Sequence, residues 1–114
     1  MSEREWRFYL GDMIVFAERV IEYTQGLDQQ AFIVDRLIYD AVLRNLELIG
    51  EAATHIPEDV RKANAHVPWR MVIATRNRLI HSYLGIDDDV LWSIIRTDTQ
   101  PLLAALRRIE ADLL

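Results

Sequence analysis

The sequence predicts an all-α protein, an up-down four-helix bundle with one short extra helical turn. Three observations predict it. Four segments carry apolar residues at three- and four-residue steps, no segment alternates with period two over a useful length, and the first three periodic runs each end at a glycine or proline.

The first helix carries Trp6, Tyr9, Leu10, Met13, Ile14, Ala17, Val20 and Ile21 on one stripe, and Gly26 ends it. The second is expected from Phe32 to about Ile56. Its stripe is Val34, Leu37, Ile38, Ala41, Leu48, Ile49 and Ala52, with Asp35, Arg36, Asp40, Glu47 and Glu51 mostly outside it. Pro57 stops this helix, and a short helical turn follows through Arg61. Pro68 suits the first turn of a third helix, whose apolar face is Trp69, Val72, Ile73, Leu79, Ile80, Tyr83 and Leu84 and whose stop is Gly85. Asp87 is the expected N-cap of a fourth, with Asp88 and Asp89 in its first turn, where the helix dipole favours acids. Leu91, Ile94, Ile95, Leu102, Ala105, Leu106, Ile109 and Leu113 form its stripe, and Pro101 is expected to kink it.

A chain of 114 residues fits a single domain, taken as residues 1–114, near the small end of what builds a real core. With 51% hydrophobic and 27% charged residues it is globular in composition. The absence of cysteine excludes a disulfide framework and thiolate chemistry. Met1-Ser2-Glu3-Arg4-Glu5 lacks the apolar stretch of a signal peptide, and no apolar run reaches membrane-spanning length, so a cytoplasmic protein is expected. The formal net charge of −5 argues against binding nucleic acid through bulk charge, but leaves room for a local basic site around Arg70, Arg76 and Arg78.

Polar residues on apolar faces are the candidates for function. At about 100° per residue, Arg76 falls near the centre of the third helix's stripe, with Asn77 and His81 one turn apart at its edge. A guanidinium there is costly unless paired or solvated. Asn45 falls mid-stripe on the second helix; taken alone it reads as a satisfied core amide. Arg76, Asn77 and His81 together read as a site for phosphate chemistry. Arg offers a fork of donors to phosphate oxygens, His passes protons near neutral pH, and Asn orients either partner. His55 and His66 read as a helix-end and a loop histidine. Three scattered histidines make no metal site, and helix capping is a better account of Asp87-Asp88-Asp89 than cation binding. Trp6, Trp69 and Trp92 read as core or interface anchors. Neither a phosphate-binding glycine loop nor a serine nucleophile motif is present, and no metal or cofactor is expected.

The segment Arg76-Asn77-Arg78-Leu79-Ile80-His81-Ser82-Tyr83 resembles the Arg-Asn-x-x-x-His-x-Tyr motif of HepT-like toxins in the HEPN superfamily. Ile56-Pro57, Val67-Pro68-Trp69-Arg70, Leu84-Gly85-Ile86-Asp87 and Leu91-Trp92 resemble the family's flanks, and Arg44-Asn45-Leu46-Glu47-Leu48-Ile49-Gly50-Glu51-Ala52 its second-helix signature. The resemblance covers nearly the whole chain. It implies a helical bundle that forms a homodimer with the motifs of both subunits meeting at a cleft. It also implies a metal-independent endoribonuclease, the toxin of a type VII-like toxin–antitoxin module. Its partner would be a minimal nucleotidyltransferase antitoxin that silences it by AMPylation of the motif tyrosine. Carried over residue by residue, Arg76 and His81 are catalytic, Asn77 and Asn45 supporting, and Tyr83 the modification site. The alternative is a non-catalytic helical binding partner of a nucleotidyltransferase, since a cleft that holds phosphate can simply present Tyr83.

Overall fold

Three of the helices begin at a capping aspartate and two at a proline, and the phase of the apolar residues decides which face a helix hides. A computed structural model of the chain describes residues 3–81 and 85–113, and every regular element among them is helical. Helix α1 (Glu3–Thr24) buries Trp6, Leu10, Met13, Ile14, Ala17 and Val20, as its periodicity predicts. The Thr24 hydroxyl donates to the Val20 carbonyl at 2.8 Å, and Gly26, at φ +78°, takes the chain out of the helix in a conformation open to glycine.

The expected second helix is two helices, α2 (Gln29–Val34) and α3 (Arg36–Thr54). Asp28 caps α2 by accepting from the Ala31 N–H at 2.8 Å, and Asp35 caps α3 by accepting from the Ile38 N–H at 3.1 Å. An aspartate that satisfies the free amides of a new first turn competes with continuing the old helix. The restart also changes which residues are hidden. Val34 and Leu37, expected on the buried stripe, are 62% and 82% exposed, whereas Tyr39, Val42, Leu46 and Ala53 lie inside. Apolar residues occupy so much of this helix's circumference that periodicity alone does not select the arc facing the core.

After Pro57 comes α4 (Glu58–Ala63), the expected extra turn. Helix α5 (Trp69–Ile80) begins at Pro68, and the Trp69 indole N–H donates to the Asn64 carbonyl at 3.1 Å to fix its start. It ends at Ile80 with His81 as its cap, short of Gly85. Tyr83, with its neighbours Ser82 and Leu84, lies outside the described residues.

The last expected helix is interrupted, upstream of the proline. It runs as α6 (Asp88–Ser93), a π-helical turn (Ile94–Asp98) and α7 (Thr99–Asp112). Both the backbone N–H and the hydroxyl of Thr99 donate to the Ile94 carbonyl, the hydroxyl at 2.9 Å, so the hydrogen-bond ladder slips by one residue. Pro101 then falls in the first turn of α7, where its missing N–H costs the helix little.

Asp87 caps α6, accepting from the N–H groups of Asp89 and Val90 at 3.0 and 3.2 Å. Asp88 accepts from the Tyr39 hydroxyl and Asp89 from the Gln29 side-chain amide, both at 2.6 Å, so the acidic triplet ties α6 to α2 and α3. Helix α3 packs between α1 and α5, and α1 packs on α7. Their common core includes Leu10, Met13, Phe32, Ile49, Ile56, Leu91 and Leu106. No helix among the described residues is long and apolar enough to cross a membrane.

Candidate functional site

The site grows from the place where α3 and α5 touch. Gly50 on α3 leaves room there for the backbone of α5: a Cβ built on it would lie 2.1 Å from Arg76 Cβ and 3.0 Å from the Val72 carbonyl oxygen. Glu51, the next residue, is therefore brought beside the Arg76 side chain. Arg76 Nη2 donates to Glu51 Oε2 at 2.5 Å, and Arg76 Nη1 donates to Asn77 Oδ1 at 2.7 Å. The second Glu51 oxygen, Oε1, faces His55 Nε2 at 3.6 Å. The His55 ring is stacked on Tyr9 of α1, with centroids 4.4 Å apart and planes 10° apart. A chain of contacts, one ring stack followed by polar pairs, thus runs from α1 through α3 to the motif on α5.

The expected cost of Arg76 on an apolar stripe is met by this pairing and by partial exposure. The Arg76 side chain is 28% exposed and that of Glu51 48%. Ion pairs this wet contribute only about 0–1 kcal/mol to stability. The arrangement therefore does more for the direction of the guanidinium than for the fold.

His81 lies five residues further on, about 7.5 Å along the helix axis. It caps α5 through its backbone N–H, its side chain is exposed, and it makes no hydrogen bond to Arg76 among the described residues. Asn77 is exposed as well, so the two residues lie further from the buried stripe than its edge. Asn45 is only 7% exposed and stands apart from the network: its Nδ2 donates to the Ala41 carbonyl at 2.8 Å, and its Oδ1 has no partner among the described residues. The structure thus joins Arg76 to Asn77 directly, leaves His81 open to solvent beside them, and keeps Asn45 in the core.

Local charge departs from the acidic average. A groove of about 910 Å³ beside α5 is lined by Arg61, Lys62 and Arg70 as well as by Trp69, Ile73 and Asn77, with Glu58 as its one acidic residue. Arg78 does not share it; that side chain lines a smaller cavity between α5 and α6, with Thr75, Ile86 and Val90. Arg70 and Asn77 therefore belong to one surface and Arg78 to another, although the sequence sets all three close together.

Glu51, Gly50 and the Tyr9–His55 stack were not expected as site components. Gly50 carries a signal, an isolated glycine within a strongly helical run, but Gly11 in α1 carries the same signal with nothing within 4 Å of its Cβ position, so the sequence does not single Gly50 out. Glu51 carries none, since its partner is 25 residues away in the sequence.

Comparison with known proteins bears on what this arrangement does. A family model described as ribonuclease HepT-like matches residues 13–109. A Methanocaldococcus jannaschii protein provisionally named an RNase is 43% identical over 86% of this chain and 90% of its own length. A second such protein from the same organism is 32% identical over 99% of this chain and 97% of its own. A Thermococcus cleftensis protein named a probable ribonuclease HepT is 34% identical over 94% of this chain and 97% of its own. No solved structure matches the chain.

Proposed function

The chain belongs to the HepT-like ribonuclease family, and from that premise we propose that it is a metal-independent endoribonuclease, the toxin of a toxin–antitoxin module, with Arg76 and His81 as its catalytic pair. The observation that carries this reading is the Arg76 guanidinium. It is held on one side by Glu51 and on the other by Asn77, partly open to solvent, with an exposed histidine five residues beyond it. A fixed fork of N–H donors suits the crowded charge of a phosphate under attack, and an exposed imidazole suits proton transfer.

In the reaction the ribose 2′-oxygen attacks the adjacent phosphorus and the bond from phosphorus to the 5′-oxygen breaks. His81 takes the 2′-hydroxyl proton or returns one to the leaving 5′-oxygen, and Arg76 stabilises the charge on the non-bridging oxygens. Asn77 holds the guanidinium, and Asn45 supports from α3.

The protein acts as a cytoplasmic homodimer. The exposed face of α5 that carries Asn77 and His81 also carries Ile80 and Ala74, apolar surface that a second copy would cover. A nucleotidyltransferase antitoxin silences it by AMPylation of Tyr83, whose added phosphate would compete for Arg76 and repel RNA. The decisive experiment is cleavage of RNA by the purified protein in excess chelator, beside His81→Ala. Cleavage by the wild type alone supports the reading; equal cleavage by a folded His81→Ala protein refutes it. Sedimentation at micromolar concentration tests the dimer, and a species of only 13.3 kDa would refute it. Peptide mapping after incubation with the nucleotidyltransferase and ATP tests Tyr83, and added AMP on any other residue would refute that assignment.

A further inference from the structure

We infer that Glu51 is a positioning residue for the proposed reaction: it sets the direction of the Arg76 guanidinium without itself touching RNA. An arginine side chain has several rotatable bonds and, left alone at a half-open surface, samples many rotamers. Here both terminal nitrogens are held. Glu51 Oε2 accepts from Nη2 at 2.5 Å and Asn77 Oδ1 accepts from Nη1 at 2.7 Å, so the plane of the guanidinium is fixed by acceptors from two different helices. A guanidinium carries five N–H donors. These two bonds leave one N–H on each terminal nitrogen and the Nε–H without a partner among the described residues, which is enough to grip a phosphate in two-point fashion.

The carboxylate that does this is itself constrained. It follows Gly50, where α3 and α5 approach too closely for a Cβ, so its distance from Arg76 is set by the backbone rather than by a flexible surface. Its other oxygen faces His55 at 3.6 Å, and His55 is stacked on Tyr9. A negative charge beside a phosphate-binding group opposes binding of the substrate unless it offers something in return. The return is orientation, since a misplacement of about 1 Å at a reacting centre can cost about a hundredfold in rate.

The catalytic half of this inference rests on the ribonuclease reading; the geometric half does not. Two measurements therefore test it. The first is saturation kinetics of RNA cleavage by wild type, Glu51→Ala and Glu51→Gln, each also combined with Arg76→Lys. Glu51→Ala should lower kcat by about ten- to a hundredfold with little change in KM. Glu51→Gln, whose amide oxygen still accepts from Nη2, should recover part of the loss. The loss should largely vanish in the Arg76→Lys background, because the two residues act as one unit. A wild-type kcat in Glu51→Ala, or effects that multiply independently, would overturn the proposal.

The second measurement is nitrogen NMR of the arginine side chains, with the Arg76 signals identified by their loss in Arg76→Lys. Rotation about the Arg76 Nε–Cζ bond should be hindered in the wild type and released in Glu51→Ala. An unchanged Arg76 signal would overturn the proposal by itself. If the wild type cleaves no RNA at all, it is the ribonuclease reading that fails, and the NMR result still decides what Glu51 does to Arg76.

Discussion

Gly50 packs on the root of the Arg76 side chain: a methyl group on Gly50 would fall 2.1 Å from Arg76 Cβ, well inside contact distance. Neither atom is the end of a flexible chain, so Gly50→Ala must push α3 and α5 apart. Alanine is the better helix former by about 1 kcal/mol, which alone would stabilise α3. Overpacking typically costs about 1–3 kcal/mol and here acts on one of the two most extensive inter-helix contacts. The expected outcome is a net loss of stability, read as a lower urea midpoint, together with a loss of cleavage larger than the loss of fold. A Gly50→Ala protein that is more stable than wild type would show that the helices can separate freely at this point.

The parts of the fold legible in the sequence are those where one residue carries a local physical signal. Gly26, Pro57, Pro68 and Asp87 mark helix boundaries through backbone geometry or capping, and all four stand at such boundaries. Asp35 was equally able to cap, yet it sits within a long apolar run that reads as continuous helix, so the split between α2 and α3 was hidden. Pro101 signals an interruption but not the π turn, because that turn depends on Thr99 reaching back to Ile94. At the site, Arg76 was legible as a charge on an apolar stripe. Its partner Glu51 was not, since pairing across two helices is a property of packing rather than of local sequence.

His81 gives the cleanest test of chemistry without collateral damage. Its side chain is exposed and makes no hydrogen bond among the described residues, and its role as the cap of α5 uses only the backbone N–H. His81→Ala should therefore melt like the wild type. Loss of a positioned proton-transfer group costs about a hundredfold to ten-thousandfold in rate. Thermal denaturation and a gel-based RNA cleavage assay on one preparation check both halves of the expectation.

Asn45 separates a supporting role from a purely structural one. Its Nδ2 donates to the Ala41 carbonyl, an acceptor that the helix's own i to i−4 ladder already uses, and its Oδ1 has no partner among the described residues. Replacing such a half-satisfied amide by an apolar side chain of similar size is close to neutral, so Asn45→Leu should stay within about 1 kcal/mol of wild type. A supporting role predicts a fall in cleavage in that stable variant. Full activity would confine Asn45 to the core.

Tyr39 and Asp88 predict how the fold responds to alkali. Burial pushes the Tyr39 hydroxyl up from its ordinary 10.0 to about 12, and its hydrogen bond to the Asp88 carboxylate and that carboxylate's charge push in the same direction, against a smaller lowering by Arg36. The neutral phenol is the form that the folded state prefers, since ionisation would remove the proton donated to Asp88 at 2.6 Å and set two negative charges side by side. A group whose folded pKa is raised contributes stability in full below its unfolded pKa and loses it as the pH rises through the folded one. The contribution of Tyr39 should therefore be constant up to about pH 10 and disappear between pH 10 and about pH 12. Tyr39→Phe removes the proton and the bond together. Near neutral pH it should cost about 1.5–3 kcal/mol, the usual scale for a hydrogen bond to a charged group. Because other groups also titrate in this range, the informative quantity is the difference between wild type and Tyr39→Phe in urea unfolding followed at several pH values. That difference should shrink as the pH passes 10 and approach zero near 12. A gap that stays constant across the window would mean that Tyr39 ionises no differently in the folded and unfolded chains. The tie between α3 and α6 would then rest on ring packing through Phe32 of α2, whose centroid lies 5.2 Å from Tyr39 and 5.5 Å from Trp92 of α6, rather than on the hydroxyl.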